Sequence, residues 1–463
     1  MEKILFDNHL FTTIGVVARE NDVQVYAVGG YVRDLLLGKQ SKDIDFVVVG
    51  NGPRFAAKLA KTLKITNYTI YKKFGTAMLK YDDQVLEFVG ARKESYRESS
   101  RKPEVESADL LTDISRRDFT INAIAISLNQ DSPGEVIDPY NGRQDIKHKL
   151  IRTPLEPAHT FYDDPLRIMR AVRFASQLHF KIDPLTLEGL KTEKDRLRII
   201  SQERITDELI KILACTKPSI GFKIMFETGI LQVILPEIAA LKGVEQIGKH
   251  SHKDVFDHTI KVIDNVARVS DDLRLRLVAL FHDIAKPATK QYNSKLGWTF
   301  HGHEDLGARM LPEIFKRLKL PNDMLKYVEK LVRLHLRPIH LAEEEVTDSA
   351  IRRLLFEAGP EADDLLLFCR ADITSANPGR VQEHLHNFDR VVERMKEVEE
   401  KDRLREFQPP VKGDEIMKTL NLQPGPQVGK LKKAIEEAIL NGEIPNDHDA
   451  AFAYLLAIKD REM

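Results

Sequence analysis

Residues 26–50 of the chain read YAVGGYVRDLLLGKQSKDIDFVVVG, which predicts a strand, a glycine turn, a helix and a second strand. Asp43 and Asp45 flank Ile44 where the second strand begins. Because side chains two residues apart in a strand project from the same face, the two carboxylates must lie together. Like charges this close raise the free energy unless a cation or a proton offsets them. The pattern therefore indicates a metal site.

The pair Gly29-Gly30 precedes the predicted helix. A helix that starts after glycines presents free backbone amides and the positive end of its dipole, and both suit a phosphate. Arg33 follows one turn into the helix, so the segment combines groups for a triphosphate with the acidic pair for a metal. Taken alone, the glycine pair is better explained by an ordinary strand–turn–helix unit with a solvated acidic turn.

The composition narrows the class of protein. With 463 residues the chain is too long for one hydrophobic core, which predicts roughly two to four domains. The 70 Lys and Arg nearly balance the 71 Asp and Glu, so nucleic-acid binding would depend on local basic patches. Cys215 and Cys369 are too few for a disulfide framework and are expected to be buried thiols. Without a signal sequence or a long apolar run, we expect a cytoplasmic protein with no membrane partner and infer no obligate protein partner.

Strand and helix patterns divide the chain into regions. Short β-rich runs among helices predict an α+β head at 1–150, and helical periodicity dominates from about residue 155, with a hairpin predicted between Lys290 and Phe300. Histidines become frequent near residue 246, and a Pro-Gly pair breaks the helical pattern near residue 380. A charged run at 394–407 predicts a solvated helix. The remaining predicted regions are 151–245, 246–380 and a helical tail at 381–463.

The glycine and aspartate motif resembles the signature of the class II tRNA nucleotidyltransferase and bacterial poly(A) polymerase family, within the DNA polymerase beta superfamily. Further segments match in the family's order, and four or five ordered motifs over about 200 residues are highly specific. The resemblance implies a polymerase-beta-like α+β head followed by an elongated all-α body. The matching segments are RRDFTINAIA at 116–125, VIDPYNGRQDI at 136–146, DDPLRIMRAVRF at 163–174 and ERITDELIKIL from Glu203.

The resemblance implies two-metal phosphoryl transfer, in which Asp43 and Asp45 hold Mg²⁺. Superfamily members often add a third carboxylate from a neighbouring strand, and Glu87 is the best-placed candidate by pattern. Alternation alone leaves open a surface glutamate on an edge strand. With Gly29, Gly30 and Arg33 on the phosphate side, Arg117 resembles the family arginine that contacts the nucleotide.

The neighbours of Arg117 are expected to have supporting roles. Arg116 would support the nucleotide-contacting arginine, while Asp118 and Asn122 would fix the turn and the start of the next helix. The polar segment at 94–115 has weak periodicity. It lies where the family has a flexible loop that helps to change specificity from C to A, so we expect mobility there.

The segment DDPLRIMRAVRF bears on base selection. Without a nucleic-acid template the protein must itself present an acceptor for the exocyclic amine that C and A share, and a donor for ring nitrogen and carbonyl. The resemblance assigns these tasks to Asp164 and Arg167, and places Arg170 and Arg173 near the nucleotide. Side chains three residues apart on a helix differ in direction by about 60°, so these residues do not share one face and Arg173 is the weakest base-side candidate. Asp163 stands where the family usually has Glu, and its role is left open.

A second set of residues resembles the HD phosphohydrolase family, whose helical domain gathers His and Asp around one or two divalent metals. Imidazole and carboxylate ligands suit a transition metal that activates water for attack on a phosphoester. The expected core ligands are His258, His282, Asp283 and Asp372, with His303 and His335 as the extra ligands of two-metal versions.

The leading hypothesis is therefore a template-independent enzyme that adds C, C and A to the tRNA 3′ end from CTP and ATP. The resemblance implies that the helical body and tail hold the tRNA acceptor arm, although Pro-Gly-Pro at 424–426 is equally well ordinary helix punctuation. The alternatives are a poly(A) polymerase and a CC-only or A-only enzyme. Alternatives from other classes are an HD metal phosphohydrolase and an RNA-binding module without catalysis, against which the Asp43/Asp45 and Asp164/Arg167 pairs argue.

Overall fold

The computed structural model describes residues 3–4, 8–71, 75–97, 100–248, 251–295, 297–343, 347–374, 377–402 and 410–462. The chain divides into two compact units, Met1–Leu235 and Pro236–Met463. The four regions predicted from the sequence are finer than this division and stay predictions.

The first unit is a mixed sheet with helices. Its strands are β1 (Gln24–Val28), β2 (Asp43–Val49), β3 (Tyr68–Tyr71), β4 (Thr76–Tyr81), β5 (Gln84–Gly90), β6 (Arg92–Arg97), β7 (Ser100–Ser107), β8 (Ala125–Ser127), β9 (Val136–Ile137), β10 (Leu150–Ile151) and β11 (Lys181–Ile182). Its helices are α1 (His9–Glu20), α2 (Gly29–Leu36), α3 (Gly52–Thr62), α4 (Leu110–Ser115), α5 (Gly142–His148), α6 (Pro157–Asp163), α7 (Leu166–Leu178), α8 (Pro184–Glu193), α9 (Gln202–Leu213), α10 (Ser219–Glu227) and α11 (Ile230–Ile234).

The sheet has the strand order β3-β4-β5-β2-β1-β8-β9, in which β2 and β5 are parallel and the other neighbours are antiparallel. Alternation along β2 buries Ile44, Phe46 and Val48. The ring of Phe46 stacks on Phe88 of β5 at 4.6 Å between centroids. The core on this face fixes the position of β2, and the residues that alternate with it, Asp43 and Asp45, project from the opposite face.

The second unit is mainly helical. Its helices are α12 (Pro236–Ala239), α13 (Val255–Val269), α14 (Leu273–Phe281), α15 (Lys286–Thr289), α16 (His303–Leu318), α17 (Asn322–Leu334), α18 (Arg337–Glu343), α19 (Asp348–Ala358), α20 (Ala362–Asp372), α21 (Pro378–Asp402), α22 (Gly413–Leu420), α23 (Pro426–Asn441) and α24 (His448–Glu462). Two antiparallel hairpins interrupt them, β12 (Glu245–Gly248) with β13 (Ser251–Asp254) and β14 (Gln291–Asn293) with β15 (Gly297–Thr299).

The fold class predicted from the sequence is confirmed, as an α+β head is followed by a helical body. The hairpin predicted between Lys290 and Phe300 is also present, and both cysteines are buried. Of the charged run at 394–407, residues up to 402 belong to α21 and the rest lie outside the described residues. No helix in the described parts of the chain is long and apolar enough to cross a membrane.

The described residues of the polar segment at 94–115 belong largely to β6, β7 and α4. The two strands pair antiparallel, from Arg92 opposite Ser107 to Arg97 opposite Ser100. A hairpin with polar residues along both strands gives no apolar alternation, so its backbone pairing is invisible to a pattern search. The predicted mobility of this segment stays a prediction.

Candidate active site

The acidic residues of the head lie on two neighbouring strands. Asp43 is exposed and Asp45 half-buried at the start of β2. The parallel register between β2 and β5 sets Asp45 directly opposite Glu87, so both side chains project from the same face. Since β5 lies between β4 and β2, Glu87 is not on an edge strand. The geometry thus favours Glu87 as the third carboxylate, and its catalytic role stays a prediction.

Burial and mutual repulsion make this face costly for anions. Burial raises the pKa of Asp45 above its ordinary value. The charge of Arg117 partly offsets this rise, that of Asp43 adds to it, and that of Arg170 partly offsets it. Burial and the charge of Asp45 also raise the pKa of Glu87, which Arg92 partly offsets. A divalent cation would relieve this repulsion, and oxygen ligands suit Mg²⁺. The carboxylates of Asp43, Asp45 and Glu87 do not bring three oxygens within 4.8 Å of one another.

The glycine turn lies against the carboxylates. Helix α2 begins at Gly29, whose φ is +72°, in the region that favours glycine. A Cβ on Gly29 would lie 3.1 Å from Asp45 Oδ2 and 3.2 Å from Arg117 Nη1, whereas one on Gly30 would meet only Arg33 Nη2 at 3.6 Å. Gly29 is therefore required by both its backbone and its neighbours. The amino end of α2, the acidic face and Arg117 meet at one point.

Arg117 is held from one side only. Its Nη2 lies 3.2 Å from Oδ2 of the buried Asp113, whose Oδ1 accepts a hydrogen bond from Arg116 at 2.5 Å. The Nε of Arg117 is buried and has no hydrogen-bond partner within the described part of the chain. Arg116 also donates to the carbonyl of Arg92. These contacts agree with the expected division between a nucleotide-contacting Arg117 and a supporting Arg116, which stays a prediction.

A buried polar chain links α2 to α7. Arg33 forms a two-point ion pair with Asp34 and donates to Asn122 Oδ1 at 2.9 Å. Asn122 donates to Asp118 Oδ1 at 3.0 Å, and Arg170 donates to Asp118 Oδ2 through Nε at 2.8 Å and Nη2 at 2.6 Å. Burial opposes ionisation of Asp118, but Arg170 and Asn122 outweigh it and lower its pKa to about 2.

This chain of contacts gives Asp118 a larger role than the sequence suggested. The carboxylate does support the local turn, because it accepts a hydrogen bond from the amide of Phe119. It also fixes Arg170, more than fifty residues away, and this the motif order could not reveal. Arg33, expected on the phosphate side, has its guanidinium occupied by Asp34 and Asn122.

The predicted base-selecting residues of α7 point in different directions, as the helical drift predicted. Arg167 is buried and donates to the carbonyls of Arg116 at 2.6 Å and Thr160 at 3.3 Å. Arg173 pairs with the buried Glu208 of α9 at 2.6 Å. Asp164 is half-buried and accepts from the amide of Leu166 at 3.2 Å, which leaves part of its carboxylate accessible. The base-reading roles stay predictions.

In the second unit all six predicted ligands converge. They form two groups in which one ligand atom per residue lies within 4.8 Å of the others, and the described residues contain no further group of this kind. In the first group the Nε2 atoms of His258 and His282 lie 2.9 and 3.5 Å from Asp372 Oδ1. The second group contains Asp283, His303 and His335. Asp283 thus groups with the two expected extra ligands.

Contacts behind the rings aim each Nε2 at the cluster. Three of the four Nδ1 atoms lie against backbone carbonyls and the fourth against a hydroxyl, an arrangement typical of metal-binding histidines. The distances are 2.9 Å from His258 to Thr374 Oγ1, 3.0 Å from His282 to Ala279 O, 2.7 Å from His303 to Phe300 O and 2.6 Å from His335 to Val332 O.

The cluster suits a divalent transition metal. His303 Nε2 and Asp372 Oδ1 are buried without a hydrogen-bond partner among the described residues, although each lies within 3.3 Å of another ligand atom. Burial and the neighbouring histidines lower the pKa of His335 to about 3, so it is a neutral donor. Lys286 was not among the predicted site residues, and its buried ammonium lies 2.8 Å from Asp283 Oδ2. Its position one helical turn after Asp283 was the available signal.

Three sequence profiles match the chain in order. The Poly A polymerase head domain matches residues 25–152, the profile described as "Probable RNA and SrmB- binding site of polymerase A" matches 179–242, and the HD domain matches 255–377. A crystal structure of a tRNA nucleotidyltransferase complexed with a primer tRNA and an incoming ATP analogue is similar in fold. Its TM-score is 0.60 at 26% identity, and the alignment covers 83% of this chain and 99% of that one.

Curated relatives are similar along most of their length. The A-adding tRNA nucleotidyltransferase of Deinococcus radiodurans is 30% identical over 91% of this chain and 93% of its own. The CC-adding tRNA nucleotidyltransferase of Thermus thermophilus is 30% identical over 93% of both chains. The multifunctional CCA protein of Psychromonas ingrahamii is 35% identical over 71% of this chain and 78% of its own. The chain therefore belongs to the family of tRNA nucleotidyltransferases and poly(A) polymerases and carries an HD domain.

Proposed function

We propose that this enzyme adds C, C and A to the 3′ end of tRNA, taking CTP and ATP as substrates without a nucleic-acid template. The observation that supports the proposal is the meeting of three features in the head: the face with Asp45 and Glu87, the amino end of α2 at Gly29, and Arg117. An enzyme with this activity would bind the acceptor arm of tRNA and would act in the cytoplasm, where tRNA is processed.

Different residues of the head would have different roles in phosphoryl transfer. Asp43, Asp45 and Glu87 would hold Mg²⁺, which when bound activates the 3′-hydroxyl and neutralises the pyrophosphate that leaves. The amides at the start of α2 and the guanidinium of Arg117, whose Nη1 lies beside Gly29, suit the triphosphate. The accessible part of the Asp164 carboxylate suits the exocyclic amine of C or A.

The relatives do not decide how many nucleotides are added, since their names divide among A-adding, CC-adding and CCA-adding enzymes. One feature of this chain argues against the CC-only alternative. The segment at 94–115, which the family resemblance connects with the change from C to A, is present and includes the paired strands β6 and β7. An enzyme restricted to CC would have no use for that segment.

The two ligand groups of the second unit favour a further activity, metal-dependent phosphohydrolysis by the HD domain. The observation behind this second function is the pair of buried groups whose Nε2 and carboxylate atoms face one another. Bound there, a divalent transition metal would supply an activated water.

Variants of the head separate the two activities. Asp43→Ala and Asp45→Ala should abolish incorporation of labelled CTP and ATP into tRNA, because each removes a predicted metal ligand. Hydrolysis of a phosphomonoester by the same variants should continue, since the HD ligands lie elsewhere in the chain. Asp83→Ala provides the matched control, as this aspartate is exposed and pairs with the exposed Lys42. Loss of both activities in a folded Asp43→Ala variant would contradict the assignment.

A further inference from the structure

The hairpin β14–β15 lies between two segments that carry metal ligands. Its first strand follows α15, where Lys286 contacts Asp283, and its second strand ends at Thr299. The next residue is Phe300, whose carbonyl accepts a hydrogen bond from His303 Nδ1 at 2.7 Å. Because a chain spans at most about 3.5 Å per residue, the base of the hairpin lies within about 14 Å of His303. The base of the hairpin is therefore tied by a short segment to a residue of the HD cluster.

The exposed surface of this hairpin is aromatic and cationic. Tyr292 and Trp298 are directly opposite one another on the two strands, and their rings meet edge to face at 5.3 Å. The Lys290 ammonium lies 4.5 Å from the centre of the Trp298 ring. Tyr292 is 68% exposed, which leaves a large aromatic ring in water. Within the described residues Lys290 has no carboxylate partner.

A cross-strand aromatic pair stabilises a short hairpin, and this role leaves most of the Tyr292 ring open to water. The open Tyr292 ring next to Trp298, with the Lys290 ammonium over the Trp298 ring, provides the combination of aromatic surface and cation that binds nucleotides. The base stacks on the ring, and the phosphate pairs with the cation. The neighbouring HD cluster has the ligands for phosphoester chemistry. Both halves of a nucleotide are therefore matched at this hairpin.

We propose that Lys290, Tyr292 and Trp298 form a binding site for the 3′-terminal nucleotides of a single-stranded RNA. A base stacks on Tyr292, and the adjoining phosphate pairs with Lys290 next to the HD cluster. The choice of an RNA end as the source of base and phosphate rests on the proposed function in tRNA end synthesis. The site itself rests on the geometry of the hairpin.

Trp298 is the only tryptophan of the chain, so its fluorescence reports this site directly. The full chain is titrated with the oligoribonucleotide ACCA and, separately, with ribose 5-phosphate, which has the phosphate without the base. ACCA should quench Trp298 saturably, and ribose 5-phosphate should not. Tyr292→Ala should raise the Kd for ACCA about fivefold or more, because the variant loses the stacking of one base. Tyr71→Ala, which removes another exposed tyrosine, should leave the Kd unchanged.

A second variant covers the case in which Tyr292→Ala disturbs the hairpin, as a shifted Trp298 emission would reveal. Lys290→Gln should lower the slope of log Kd against log salt by about 0.7, the value for one phosphate contact on a single strand. Absence of saturable quenching, an unchanged Kd in Tyr292→Ala with an unshifted emission, or an unchanged salt slope in Lys290→Gln would overturn the proposal. CTP and ATP incorporation by Tyr292→Ala is measured in parallel, so that failure of this site and failure of the proposed function are distinguishable.

Discussion

The buried ion pair between Asp118 and Arg170 provides the sharpest test of how the head is held together. In the native state the pKa of Asp118 is about 2 instead of 3.8. A fall of almost two pKa units corresponds to about 2–3 kcal/mol. Asp118→Asn keeps the shape of the side chain and removes its charge, so it should lower the free energy of opening around α7 by about 2–3 kcal/mol at pH 7.

Hydrogen exchange measured by mass spectrometry on peptides covering 116–125 and 166–178 measures this opening locally. Asp83→Asn is the matched control, because that carboxylate forms an exposed ion pair with Lys42 and should change local opening by less than about 0.5 kcal/mol. A cycle with Arg170→Gln should show strong coupling between the two sites. Additive effects of the two variants, or a change below about 0.5 kcal/mol in Asp118→Asn, would refute the reasoning.

The same pair predicts a pH dependence. Because the folded-state pKa of Asp118 is depressed, its contribution to stability is complete above about pH 4 and is lost as the pH falls towards 2. The wild-type protein should therefore lose the advantage in local protection that it has over Asp118→Asn across this interval. An advantage that persists unchanged at pH 2 would contradict the assignment of the charge to Asp118.

Three further outcomes are expected. Gly29→Ala should reduce CTP incorporation about tenfold or more, because the positive φ of Gly29 and the close side chains of Asp45 and Arg117 oppose a Cβ. Gly30→Ala should have a milder effect, and equal effects of the two variants would contradict the geometry. Glu208→Gln should lower the thermal midpoint by several degrees through loss of the partner of Arg173, while Glu188→Gln, in an exposed pair, should not; equal melting curves would speak against this. Metal analysis in an Asp43→Ala/Asp45→Ala background, which removes predicted metal ligands of the head, should give about two equivalents of Mn²⁺ after loading. Adding His335→Ala should give about one fewer, whereas adding the exposed His340→Ala should change nothing; about two equivalents after adding His335→Ala would exclude the grouping.

The acidic face could be predicted because it depends on local rules. Alternation along a strand places Asp43 and Asp45 together, and this needs no knowledge of the rest of the fold. The six HD ligands could be predicted from their residue types and the family resemblance. Their partition into two groups could not, because it depends on how α13, α14, α16, α17 and α20 pack.

Contacts made across long distances in the chain were beyond the sequence. Alternation left the face of Glu87 undecided until the β2–β5 register placed it opposite Asp45. Arg167 and Arg170 have the same residue type and lie on the same helix, but one binds carbonyl groups and the other binds Asp118. Helical spacing predicted that they diverge, while their partners depend on tertiary packing.

We propose that one chain completes CCA and then stops. The most direct test of this proposal uses three tRNA substrates, one lacking CCA, one ending after the first C and one ending after the second C, each incubated with Mg²⁺ and CTP, ATP or both. We expect that the first two require CTP before ATP, that the third accepts only ATP, and that every product ends at the same A. Growth of an A tail past that point, or failure to add either C or A on its own proper substrate, would contradict it.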